Sequence, residues 1–149
     1  MVSFKTKILF IISLSILFTY TGILYLNYNN IPEIIPTHIS FKGDIDGYGN
    51  KVQLWIAAGV NLILLFALYL VAKYPKYWNI PYEPKDIVAY RKNIRIYIGM
   101  LSVIVSCAFS TMILFSLKYS IIEMLKFLFL LLIIPGLFII LFKEKPNPR

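Results

Sequence analysis

The chain has 149 residues, 59% hydrophobic and only 15% charged, with a formal net charge of +8. A soluble globular domain is about half apolar and about a quarter charged, so this composition excludes an ordinary soluble domain. The basic residues are dispersed along the borders of apolar runs, which suits anionic lipid head groups and excludes a nucleic-acid-binding surface.

The first apolar run is ILFIISLSILFTYTGILYLN, residues 8–27. At 1.5 Å rise, about 20 residues span roughly 30 Å of hydrocarbon. Lys5 and Lys7 precede it, as in a signal peptide. The run is too long for one, however, and TYTGILYLNYNN offers no small-x-small cleavage site, so a retained helix is expected.

Residues 28–51 follow as the first connection, expected to be an ordered loop on the outer side of the membrane. It is longer than the ~2–8 residues that usually join bundle helices. Ile31-Pro32 and Ile35-Pro36 impose extended backbone, and Ile34, Ile35, Ile39 and Phe41 suit packing on the bundle or its interface. Gly43, Gly47 and Gly49 permit tight turns. His38, Asp44 and Asp46 are potential ligands for a divalent cation. A calcium loop starting at Asp44 fails, because Tyr48 falls at position 5 and Trp55 at position 12, where the bidentate glutamate belongs. The other reading is structural. Asp44 and Asp46 bond glycine-turn amides and pair with Lys51, so that His38, Asp44, Asp46 and Lys51 form one cluster supported by Pro36, Thr37 and Tyr48.

The second run is residues 52–72, with Asn61 as one mid-membrane amide expected to bond a neighbouring helix, the serines of the third run being candidates. The inner connection, 73–95, carries Pro75, Pro81 and Pro84 and an aromatic belt of Tyr74, Tyr77, Trp78 and Tyr82. Pro84 suits the first turn of a helix running through AYRKNIR into the third run, residues 96–117. There Gly99, Ser102, Ser106 and Ser110 share one face, expected to pack against another helix. Cys107 has no partner for an internal disulfide and is expected to act as a small apolar residue. The fourth run, 121–142, contains Pro135 and Gly136, which predict a kink, and Glu123 and Lys126, which can pair near its outer end.

The expected class is an all-α integral membrane protein, a single domain of four transmembrane helices in an up-down bundle. Lys and Arg number eleven on the side holding both termini and the inner loop, and four on the other. This predicts cytoplasmic termini in a bacterial cell membrane and an extracellular first connection. No HExxH, nucleophile elbow, P-loop or paired-cysteine motif is present, so no enzyme activity and no cofactor are expected.

The stretch IPEIIPTHISFKGDIDGYGNK, residues 31–51, resembles the signature of a family of small bacterial membrane proteins, domain of unknown function 1648. Pro36, Thr37, His38, Gly43, Asp46, Gly47, Tyr48 and Lys51 carry the resemblance, and YPKYWNIP resembles the family's segment after its second helix. The module also resembles the N-terminal part of the immunity protein against the sporulation-delaying toxin of bacilli. That resemblance implies protection from a secreted toxin and signalling through a repressor held at the membrane. Three functions are therefore expected, in order. The first is non-enzymatic recognition of an extracellular peptide or other ligand, with a cytoplasmic regulator at the inner loop. The second is an accessory subunit of a membrane complex. The third is a metal-dependent membrane enzyme or transporter using His38, Asp44 and Asp46.

Overall fold

The computed structural model describes residues 2–39, 45–75, 78 and 86–117. Among the described residues, three helices are long and apolar enough to cross a membrane: α1 (Phe4–Asn27), α2 (Gln53–Lys73) and α3 (Ile87–Ser116). The fourth expected span, residues 121–142, lies outside the described residues, as do Gly43, Asp44 and residues 79–85.

Local chemistry sets the helix ends. Ser3 caps α1, its hydroxyl accepting the Thr6 amide at 3.2 Å, so the helix starts four residues before the apolar run. Asp86 caps α3 by accepting the Val88 and Ala89 amides at 2.9 Å. The helix therefore begins just beyond the Pro84 start expected from sequence and runs unbroken through AYRKNIR. At the end of α2, Trp78 donates to the Val71 carbonyl at 2.8 Å and Arg95 to the Ala72 carbonyl at 3.1 Å. Both satisfy carbonyls that a helix terminus leaves without an intrahelical partner.

Cross-helix contacts give the directions. Phe10 meets Tyr69, and Tyr20 meets Asn61, so α1 and α2 run antiparallel. A Cβ on Gly99 would meet Leu9, and Ser13 meets Ser102, so α1 and α3 run parallel. The buried positions of α2 (Leu54, Ala58, Asn61 and Leu65) recur at helical spacing and form one face. The core collects on α1, where Ile16, Tyr20 and Leu24 are fully enclosed.

The packing of α3 on α1 is close because the contacting residues are small. A Cβ at Gly99 would lie 2.9 Å from Leu9 Cδ1. Ser102, Ser106 and Ser110 are all buried along the same face. The Ser13 and Ser102 hydroxyls lie 2.8 Å apart, and each also lies within bonding distance of a carbonyl of its own helix, Leu9 and Gly99. Two hydroxyl hydrogens thus serve three contacts, so one serine donates across the interface while the other donates back. Asn61 bonds a neighbouring helix, but it is α1 rather than the candidate serines of α3: its amide donates to the Tyr20 hydroxyl at 2.8 Å. Tyr20 lies on the helix antiparallel to α2, and its long side chain reaches across where a serine cannot.

The all-α expectation needs one correction. The connection between α1 and α2 is a two-stranded antiparallel sheet, β1 (Ile34–Ile39) and β2 (Ile45–Asn50). The extended backbone imposed before Pro36, with apolar and β-branched neighbours, is strand geometry as much as loop geometry.

Candidate functional site

The hairpin is seated on the end of the bundle by its base. Ile31 and Ile35 are buried in the core, and the Lys51 amide donates to the Glu33 carbonyl at 2.9 Å. Asn50 Oδ1 accepts the Val52 amide at 2.9 Å, turning the chain into α2. Lys51 locks this junction. Its ammonium lies 2.9 Å from Glu33 Oε1, 3.3 Å from the Ile31 carbonyl and 4.8 Å from the Tyr28 ring centroid. Tyr28 in turn packs on Trp55, ring centroids 5.9 Å apart. One side chain thereby joins the end of α1, the base of β1 and the start of α2. The Lys51 side chain is only 12% exposed, whereas Glu33 is 74% exposed. Lys51 is therefore held by enclosure of its stem and by the ring as much as by the ion pair.

Two irregularities shape the upper hairpin. Pro36 pairs with Tyr48, His38 with Gly47, and Ile39 with Ile45. Thr37 is thus an extra residue on β1 and Asp46 an extra residue on β2. Bulges re-aim side chains that a regular pleat would send to opposite faces. The result is contact between His38 Nδ1 and Asp46 Oδ1. Pro36 is tolerated because both strands are edge strands and a bulge adjoins it. Gly47 provides the room, since a Cβ there would lie 2.8 Å from His38 Cβ. An Nδ1–H donated to the carboxylate fixes the ring's orientation, and in that neutral tautomer Nε2 is the acceptor or ligand atom.

Below this pair lies a cleft between β1 and the ends of α2 and α3. One part, about 430 Å³, is lined by Pro36, Thr37, Gln53, Ile56 and Met112, among others. The adjoining part, about 380 Å³, adds His38, Thr111 and Phe115 and shares Pro36, Thr37, Met112 and Ser116. An apolar cleft with an oriented imidazole at its rim is the arrangement expected of a binding site.

The structure brings together His38 and Asp46 but places Lys51 at the other end of the hairpin, on Glu33. The expected Asp46–Lys51 pair is absent because the bulge turns Asp46 to His38. Asp44 lies outside the described residues, and among those described no group of three side chains could hold a metal ion. Tyr48 is exposed on β2, and Gly49 lies against the Gln53 side chain. Sequence reasoning missed Glu33, Tyr28, Trp55, Met112 and Phe115. Only Glu33 carried a signal, as an acid beside the hairpin base.

Residues 15–62 match the family described as Domain of unknown function (DUF1648). The matched stretch covers the C-terminal half of α1, the whole hairpin and the first half of α2, so it includes both Tyr20 and Asn61. An uncharacterised protein of Archaeoglobus fulgidus is 28% identical over 115 residues, covering 66% of this chain and 61% of that protein. The chain thus spans less than two thirds of the relative's length, and the similarity extends to an archaeon. No solved structure matches.

Proposed function

We propose that this chain is a non-enzymatic multi-pass membrane protein whose hairpin recognises an extracellular peptide. The cleft between β1 and the ends of α2 and α3, with His38 at its rim in contact with Asp46, carries the proposal. Its apolar floor suits side chains of an extended peptide, and a two-stranded sheet offers open edges for main-chain pairing. The distribution of Lys and Arg supports the orientation, with the hairpin outside and the basic ends of α1, α2 and α3 in the cytoplasm. Immunity to a secreted peptide toxin is the specific form of this function, supported by the resemblance of residues 31–51 to the toxin-immunity module.

The test expresses His38→Ala, Asp46→Ala and Met112→Trp in bacteria challenged with the sporulation-delaying toxin of bacilli. Membrane abundance and thermal stability are measured in parallel. Lost protection at unchanged abundance is expected, because the first two variants strip the rim and the third fills the cleft. Full protection by all three stable variants would remove the cleft from the mechanism. A chelator is expected to leave protection unchanged.

A further inference from the structure

At the opposite end of the bundle, α1 and α2 are held apart by large side chains. Phe10 and Tyr69 meet edge-to-face with ring centroids 5.4 Å apart, in contrast to the glycine and serine contact of α1 with α3. The separation leaves a groove of about 390 Å³, floored by Ile11, Leu14, Leu62 and Phe66, with Lys7 and Tyr69 at one end. We propose that this groove binds an anionic phospholipid, one acyl chain lying between the helices and the phosphate held by Lys7.

Charge complementarity selects this occupant. Lys7 is exposed at the mouth of an otherwise apolar groove, and exposed Lys5 and Lys73 flank it at the same end of the antiparallel pair. Among the described residues Asp86 is the one carboxylate at this end, and it is occupied in capping α3. A lysine at the hydrocarbon border extends its ammonium to the head-group level while its stem stays apolar. Ammonium–phosphate hydrogen bonds are charge-assisted, and basic pockets between helices on the cytoplasmic side suit anionic head groups. The inference rests on reading the helices as membrane spans and is independent of the hairpin's ligand.

The test incorporates the full chain into membranes of mixed phosphatidylglycerol and phosphatidylcholine, and identifies retained lipid by native mass spectrometry. Wild type is expected to retain phosphatidylglycerol preferentially. Lys7→Gln should reduce that preference about fivefold, corresponding to ~1 kcal/mol per lysine near an anionic surface. Lys7→Arg should keep it, and Lys92→Gln, on α3, should leave it unchanged. Ile11→Trp, which fills the groove, should lower retention of both lipids, with thermal unfolding confirming that each variant is folded. The proposal is overturned if folded Lys7→Gln keeps the wild-type preference. It is equally overturned if Ile11→Cys in a Cys107→Ser background crosslinks efficiently to residues 121–142 or to a second copy. Recovery of the chain without detergent would refute the membrane reading itself, whereas a membrane-embedded chain with no lipid preference would sink only the lipid site.

Discussion

Ser102 and Ser106 lie one turn apart on the buried face of α3, yet their alanine variants should differ in sign. Ser102 bonds Ser13 across the helix interface, and its loss should cost roughly 0.6–2 kcal/mol. Among the described residues the buried Ser106 hydroxyl has no hydrogen-bond partner, so Ser106→Ala should be neutral or slightly stabilising. Thermal unfolding in detergent separates the two; equal values would mean that the Ser13–Ser102 bond contributes nothing. Ser106→Leu, by contrast, forces volume into the contact and should destabilise. At the hairpin, Gly47→Ala places a Cβ 2.8 Å from His38 Cβ, which is anchored to backbone. The strand must shift, and the His38 imidazole resonances should move, as they should also in Asp46→Asn. Unchanged resonances in Gly47→Ala would show that the pair does not depend on this close approach. The small-residue face was legible from the 3- and 4-residue spacings of Gly99, Ser102, Ser106 and Ser110. Their partners were not, because spacing along one helix says nothing about the rotation of its neighbour. Ser13 as the partner of Ser102, and Tyr20 as the partner of Asn61, emerge only when α1 is oriented against the other two helices.

The hairpin depends on its clamp, and three substitutions apportion it. Lys51→Ala removes the enclosed stem, the contact with the Tyr28 ring and the bond to the Ile31 carbonyl together, an expected loss of about 1–2 kcal/mol. Lys51→Met keeps most of the stem and should recover part of that loss. Glu33→Ala should cost no more than about 1 kcal/mol, because its carboxylate is largely solvated. Hydrogen exchange of the β2 amides reads the ranking directly, since local opening exposes them. A Glu33→Ala effect as large as that of Lys51→Ala would mean the ion pair, not the enclosure, holds the hairpin. As an element, this hairpin was hidden in the sequence. Its two bulges break the period-2 alternation, Pro36 argues against a strand, and no Asn-Gly or Asp-Gly joins the strands as a two-residue turn. The helices were plain because continuous apolar runs tolerate errors of a few residues at each end. The Ser3 cap moved the start of α1 toward the N-terminus relative to its apolar run, and the Asp86 cap set the start of α3 just beyond the expected Pro84.

Over the whole molecule, the parallel α1 and α3 and the antiparallel α2 place the hairpin and Leu117 at one end. Lys5, Lys7, Lys73, Lys92 and Arg95 gather at the other. A basic end is retained in the cytoplasm during insertion, so the hairpin end should be translocated. Ile34→Cys and Lys92→Cys, each in a Cys107→Ser background, test this with a membrane-impermeant thiol reagent. Both positions are exposed, Ile34 at 67%, and neither takes part in the Lys51 clamp or the helix caps. Cys107 must be removed because a half-buried thiol on α3 would give background labelling. Ile34→Cys should react in intact cells and Lys92→Cys only after permeabilisation. The reverse pattern would invert the molecule, turn the His38–Asp46 cleft to the cytoplasm and end the extracellular-peptide reading. A third position, Lys145→Cys, addresses the apolar run 121–142. The chain leaves α3 at the hairpin end, so a crossing by that run returns Lys143, Lys145 and Arg149 to the basic side, where the positive-inside rule favours them. Lys145→Cys should therefore behave like Lys92→Cys. If it labels in intact cells beside Ile34→Cys, the tail lies outside and the molecule crosses the membrane three times.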